Sequence, residues 1–156
     1  MTVGHTVTVL GVGNPIMADD GVGLALLAAV QAARPDDRIE YVDGGTGGME
    51  LIPVVQDADR LLILDAVAGK LPGQVIELTG DQVPRMLSAK LSPHQVGLLD
   101  VFTAARLLGR EPAEVEVVGV TPQVVDLSLD MSPPVKGALE EAAAKACAVI
   151  DRWLAV

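Results

Sequence analysis

A strand, a glycine-rich turn and a helix open this chain, and that unit constrains its fold more than any other stretch. Val7, Val9 and Leu10 form an alternating apolar run that predicts a strand over Thr6–Val12. Gly11-Val12-Gly13-Asn14-Pro15-Ile16-Met17-Ala18-Asp19-Asp20-Gly21-Val22-Gly23 follows, and the apolar run Leu24–Val30 then predicts a helix over Gly21–Ala33. A glycine turn between strand and helix normally offers backbone N–H groups to a phosphate. This one carries Asp19 and Asp20 at the helix entrance and no Lys, Ser or Thr. Two carboxylates repel a phosphate and attract a cation. The turn therefore points to metal chemistry.

Two further ligand types stand in comparable places. Leu61-Leu62-Ile63-Leu64-Asp65-Ala66 is a continuous apolar run of the kind buried on both faces of a parallel sheet, with Asp65 at its C-terminal end. That end of a strand is where open α/β sheets bind ligands. Ser92-Pro93-His94-Gln95 is a predicted loop holding one of only two histidines. Two carboxylates and an imidazole make an O, O, N donor set suited to zinc, nickel or manganese, and the lack of thiolate argues against a soft-metal site.

Periodicity predicts strands at Thr6–Val12, Arg38–Asp43, Arg60–Ala66, Gln74–Leu78 and Glu114–Thr121. It predicts helices at Gly21–Ala33, Gly48–Asp57, Val83–Ser88, Val96–Leu108 and Pro134–Leu154. This alternation implies an α/β fold, a three-layer sandwich around a mostly parallel sheet, with residues 1–156 as a single domain. The link from Asp65 to Gln74 has no room for a crossover helix, so the strand at Gln74–Leu78 is expected to run antiparallel to the one before it. With one Trp, one Tyr and one Phe, the core must be built from Ala, Val, Leu and Ile. A net charge of -10 with no basic stripe argues against nucleic-acid binding. The lone Cys147 has no partner for an internal disulfide, as expected of a cytoplasmic protein. Its helical neighbours Ala143 and Ile150 mark it as core filler. No signal-peptide pattern is present, and the longest apolar stretch, Val22–Val30, is too short to span a bilayer, so no membrane association is expected.

Four motifs in order, Gly11-Val12-Gly13-Asn14 with Asp19-Asp20-Gly21-Val22-Gly23, Asp43-Gly44-Gly45-Thr46, Asp65-Ala66 and Ser92-Pro93-His94-Gln95-Val96-Gly97, resemble the hydrogenase maturation endopeptidases over nearly the whole chain. The resemblance implies a three-layer α/β/α sandwich with a five-strand mixed sheet. It implies an aspartic-type endopeptidase that removes a C-terminal extension from the large-subunit precursor of a nickel–iron hydrogenase. The metal would be the nickel already inserted in that precursor, with another divalent cation as the option in the isolated protein. Carried over, the metal-binding and catalytic residues are Asp20, Asp65 and His94. Some similar proteins have Glu at the first position, and Asp19 is the alternative ligand there.

Taken singly, these residues have plainer readings. Asp19 and Asp20 fit an N-cap and a first-turn acid, Asp65 a turn cap, and His94 a backbone-bonded histidine near a helix start. Asp43 is expected to fix its glycine loop by an Asx-type hydrogen bond, although Asp43 or Asp19 could instead handle protons. The main rival function is a non-catalytic nickel-checking or chaperone module that binds the same precursor. A dinucleotide site is disfavoured because Ile16 stands where its fingerprint needs glycine. A peptidyl-tRNA hydrolase, which shares the Gly-x-Gly-Asn-Pro opening, would need a basic face.

Overall fold

The computed structural model describes residues 7–80, 101, 105 and 107–155. The predicted helix Val83–Ser88, most of Val96–Leu108, and both histidines, His5 and His94, lie outside the described residues. Five strands, β1 (Val7–Val12), β2 (Ile39–Gly45), β3 (Arg60–Ala66), β4 (Val75–Thr79) and β5 (Glu114–Val120), form one sheet in the order β2-β1-β3-β5-β4. The first four in that order are parallel, and β4 pairs antiparallel with β5. The antiparallel sense of β4 agrees with the expectation from its short link. Its neighbour, however, is β5, because β5 takes the place beside β3 in parallel register from Arg60↔Glu114 to Ala66↔Val120.

Alternation along β3 sorts its side chains between two apolar layers. Leu62, Leu64 and Ala66 join Val7 and Val9 of β1 in one, with Leu61 and Ile63 joining Leu10 and Val12 in the other. The first face is covered by α1 (Val22–Ala33) and by the long C-terminal helix α3 (Pro133–Leu154). α1 contributes Val22, Leu26, Leu27 and Val30 at helical spacing, and α3 contributes Ala138, Ala142, Ala146 and Ile150. Small alanines on α3 let it lie close to the sheet. Each buried leucine stabilises by about 1.5–3 kcal/mol. The opposite face meets Val55 of α2 (Ile52–Asp57) together with the helical residues Val101 and Ala105. Helices on both faces of the sheet make the expected three layers.

Element ends follow local chemistry. A 3-10 turn at Ala18–Gly21 precedes α1, so the helix starts one residue later than its pattern predicts. A second 3-10 turn, Met49–Leu51, leads into α2. Ser132 stands extended at the start of α3, and Pro133 and Pro134 occupy its first turn, where no intrahelical N–H bond is lost. Cys147 is buried on α3, and that burial pushes its thiol pKa up, as core filler requires. Trp153, at the far end of α3, is 3% exposed, and its carbonyl accepts a 2.8 Å hydrogen bond from Arg60.

Candidate metal-recognition site at the strand ends

The strand order reverses at one place. β1 leads through α1 to β2 on one side, and β2 leads through α2 to β3 on the other. The crevice between the C-terminal ends of β1 and β3 is therefore the topological switch point of the sheet, the place where such folds hold ligands. Asp20 lies in the 3-10 turn that follows β1, and Asp65 lies at the end of β3. These two of the three proposed ligands flank the switch point. His94 lies outside the described residues.

Two glycines bring these segments together. A Cβ on Gly23 would come within 2.3 Å of the Val12 carbonyl oxygen, 2.4 Å of that of Leu64 and 3.0 Å of the Asp65 Cα. The first turn of α1 thus rests directly on the ends of β1 and β3. Gly13 has φ +139°, and a Cβ there would fall 2.0 Å from the carbonyl oxygen of Asp20. The glycines expected from sequence to be a turn motif are in fact the sites of closest backbone approach around the two acids.

The carboxylates are oriented by backbone. Asp20 is half-buried and accepts a 2.9 Å hydrogen bond from the Asn14 N–H. Asp65 is 3% exposed and accepts a 2.8 Å bond from the Ala66 N–H. Such outer-shell bonds hold a carboxylate in place for a metal. The two carboxylates are hard oxygen donors, the kind that divalent cations take.

Asp19 is different. It is fully buried, and its carboxylate accepts four hydrogen bonds: from the N–H groups of Gln123 at 2.8 Å, Val124 at 2.9 Å and Ser132 at 2.6 Å, and from the Ser132 hydroxyl at 2.7 Å. Burial raises its pKa, but these bonds outweigh burial and hold it below the usual aspartate value. The N-cap half of the plainer reading is not realised, since neither the 3-10 turn nor α1 has a side-chain cap bond at its start, whereas both acids do lie within the 3-10 turn as first-turn acids. Asp19 instead ties down the strap of residues 122–132 between β5 and α3. Backbone bonds complete the seam: Ala18 N–H to the Ser128 carbonyl at 2.8 Å, Ser128 N–H to that of Ile16 at 2.9 Å, and Asp19 N–H to that of Val124 at 3.0 Å. Ala18 holds φ +52° within it. Sequence reasoning missed the strap, because its partners lie more than a hundred residues from Asp19 and carry no motif.

Asp43 meets its structural expectation: exposed, it accepts a 3.0 Å bond from the Gly45 N–H. Beside it, β1 and β2 slip register, with Gly11 paired to Asp43 and Val12 to Gly45. The resulting bulge turns the glycine loop at the sheet edge.

A mostly parallel sheet with acids at its switch point defines a class, the α/β/α sandwiches that bind a ligand at their strand ends. Comparison narrows the class to one family. The profile of the hydrogenase maturation proteases matches residues 7–149, and the chain belongs to that family. It is 37% identical over 139 residues to the hydrogenase 2 maturation protease of Escherichia coli K12, covering 87% of this chain and 85% of that one. It is 36% identical over 154 residues to the hydrogenase expression/formation protein HupD of Bradyrhizobium diazoefficiens, covering 96% and 80%. The solved hydrogenase maturating endopeptidase HybD of E. coli superposes with a TM-score of 0.85 at 34% identity, over 94% of this chain and 92% of that one. Among the described residues, no helix is long and apolar enough to cross a membrane.

Proposed function

We propose that this chain is an endopeptidase that removes the C-terminal extension of a nickel-loaded hydrogenase large-subunit precursor. In this reading Asp20, Asp65 and His94 receive the nickel that the precursor presents. The observation that carries the reading is the placement of Asp20 and Asp65 on either side of the switch point, each held by a backbone N–H. Family membership supplies the protease activity.

The chemistry asked of the site is peptide hydrolysis. Water adds to the scissile carbonyl carbon, the C–N bond breaks, and a proton passes to the leaving amine. Asp20 and Asp65 supply negative charge that holds the substrate's cation against the strand ends, and His94 adds a nitrogen donor. A cation there can polarise the carbonyl, lower the pKa of a water or orient the peptide. Asp19 takes no part in this reading: its carboxylate is committed to the strap. A thiol nucleophile is disfavoured as well, since Cys147 is buried in the helical layer with its pKa raised.

The deciding experiment is mass spectrometry of a candidate large-subunit precursor incubated with this protein, with and without nickel. Loss of a C-terminal peptide only from the nickel-loaded precursor supports the proposal. Stable binding without cleavage would replace it with the nickel-checking module, and cleavage regardless of nickel would remove the metal from recognition.

A further inference from the structure

The strap that Asp19 holds is ordered and yet displays apolar side chains. Val125 is 55% exposed, Leu127 74% and Leu129 80%, and Ile16, across the seam, is 47% exposed. None of these four belongs to either core cluster. The strap is a fixed ridge, for its backbone is bonded to residues 16–19 and its base is gripped by the Asp19 carboxylate. It adjoins the 3-10 turn that carries Asp20. Apolar groups held rigidly in water beside a site are characteristic of a binding surface.

Charge says what would cover it. Asp126 and Asp130 bracket the two leucines and are both exposed. Residues 1–33 contain no Lys or Arg, and neither do residues 111–135, so both segments that form the ridge are free of bases. The nearest base along the chain is Lys136, a turn into α3. The described arginines, Arg34, Arg38, Arg60, Arg110 and Arg152, all stand at the opposite edge of the sheet, at the starts of strands or the ends of helices, whereas of the other described bases Lys145 pairs with Glu77 and Lys70 lies in the link between β3 and β4 on the strand-end side. An acidic, apolar ridge complements a segment that is apolar and cationic. It would repel a second acidic copy of this chain, which carries a net charge of -10.

We propose that the ridge of Ile16, Val125, Leu127 and Leu129, flanked by Asp126 and Asp130, docks a cationic, apolar segment of the protein partner beside the strand-end site. This rests on the reading of the partner as a polypeptide precursor, and its test separates the two. Two labelled peptides with the same leucine pattern, one with Lys and one with Glu at the polar positions, are titrated into the protein by fluorescence anisotropy. The lysine peptide is expected to bind at least about tenfold more tightly. L127S/L129S should lower that affinity by about tenfold or more, and D126K/D130K should reverse the preference. These side chains lie outside the core, and circular dichroism checks that each variant is folded.

With the precursor as substrate, L127S/L129S should raise KM by about tenfold while lowering kcat less than about twofold. Unchanged peptide affinity in L127S/L129S, or unchanged preference in D126K/D130K, would overturn the proposal. So would a dimer in sedimentation velocity that L127S/L129S abolishes, because the ridge would then be covered by a second copy. A wild-type protein that binds the peptides as expected but cuts no precursor would leave the docking ridge standing and remove the protease reading alone.

Discussion

Asp19 and Asp20 are adjacent, yet they face different tasks. Asp19 is buried under four donors, whereas Asp20 is half-buried beside the crevice and oriented by Asn14. Asp19→Asn turns an NH2 group toward N–H donors and should cost about 2–4 kcal/mol of stability, read from urea midpoints. The sign with pH follows from the depressed pKa of Asp19. The folded state binds its proton less readily than the unfolded chain, so the stabilisation is present above the unfolded aspartate value and is lost as pH falls through the folded one. Wild type should therefore lose its advantage over Asp19→Asn below about pH 4. Under the proposed function, Asp65→Asn and His94→Ala should each reduce cleavage of nickel-loaded precursor by about a hundredfold or more, with folding unchanged. Asp20→Glu should be milder, because it keeps the charge, and Asp43→Asn milder still, because the amide oxygen can accept the Gly45 N–H. The placement of Asp20 and Asp65 was legible because acids after strands are conspicuous in a chain so rich in apolar runs. The burial of Asp19 was not legible, for a carboxylate gives no local sign of donors that arrive from the far end of the sequence.

At the scale of elements, the start of α1 is fixed by backbone meeting backbone. Gly23→Ala would place a methyl group against the carbonyls of Val12 and Leu64, neither of which can turn aside within its strand. The helix must then lift from β1 and β3, a change expected to cost about 1–3 kcal/mol in urea unfolding. Because Asp20 lies in the 3-10 turn that leads directly into this helix, the variant should lose cleavage as well as stability. All five strands were legible to within two residues, since buried parallel strands read as apolar runs and glycine turns punctuate them. The partner of β4 was not. A short link dictates the sense of a strand, but which edge of the sheet it joins depends on where β5 inserts, and that is settled by long-range packing. The split of the second helical segment into a 3-10 turn and the short α2 was also hidden, because both share one apolar pattern.

At the scale of the whole molecule, the described arginines are gathered at one edge. Arg34 grips Asp151 with two 2.9 Å bonds, Arg38 pairs with Asp36, and Arg152 with Glu116, all away from the strand ends that carry Asp20 and Asp65. A cationic partner is drawn to one end of the molecule. Raising salt from about 50 to about 300 mM should therefore slow association with the lysine peptide several-fold while leaving the unfolding midpoint nearly unchanged. Stopped-flow anisotropy and urea titrations at both salt levels check this. Net charge was readable from composition, but the gathering of the described arginines at one edge emerges only once the topology puts strand starts on one side and strand ends on the other. That same polarity gives Trp153 an optical use. It is the only tryptophan, buried where α3 meets the start of β3, at the end of the molecule remote from the strand-end acids. Light absorbed at the red edge of the indole band will therefore excite a single emitter seated in the apolar layer. Its emission should shift to the red when that layer opens to water and stay constant while the opposite end is filled, making the native chain its own fluorescent gauge of unfolding during any binding titration.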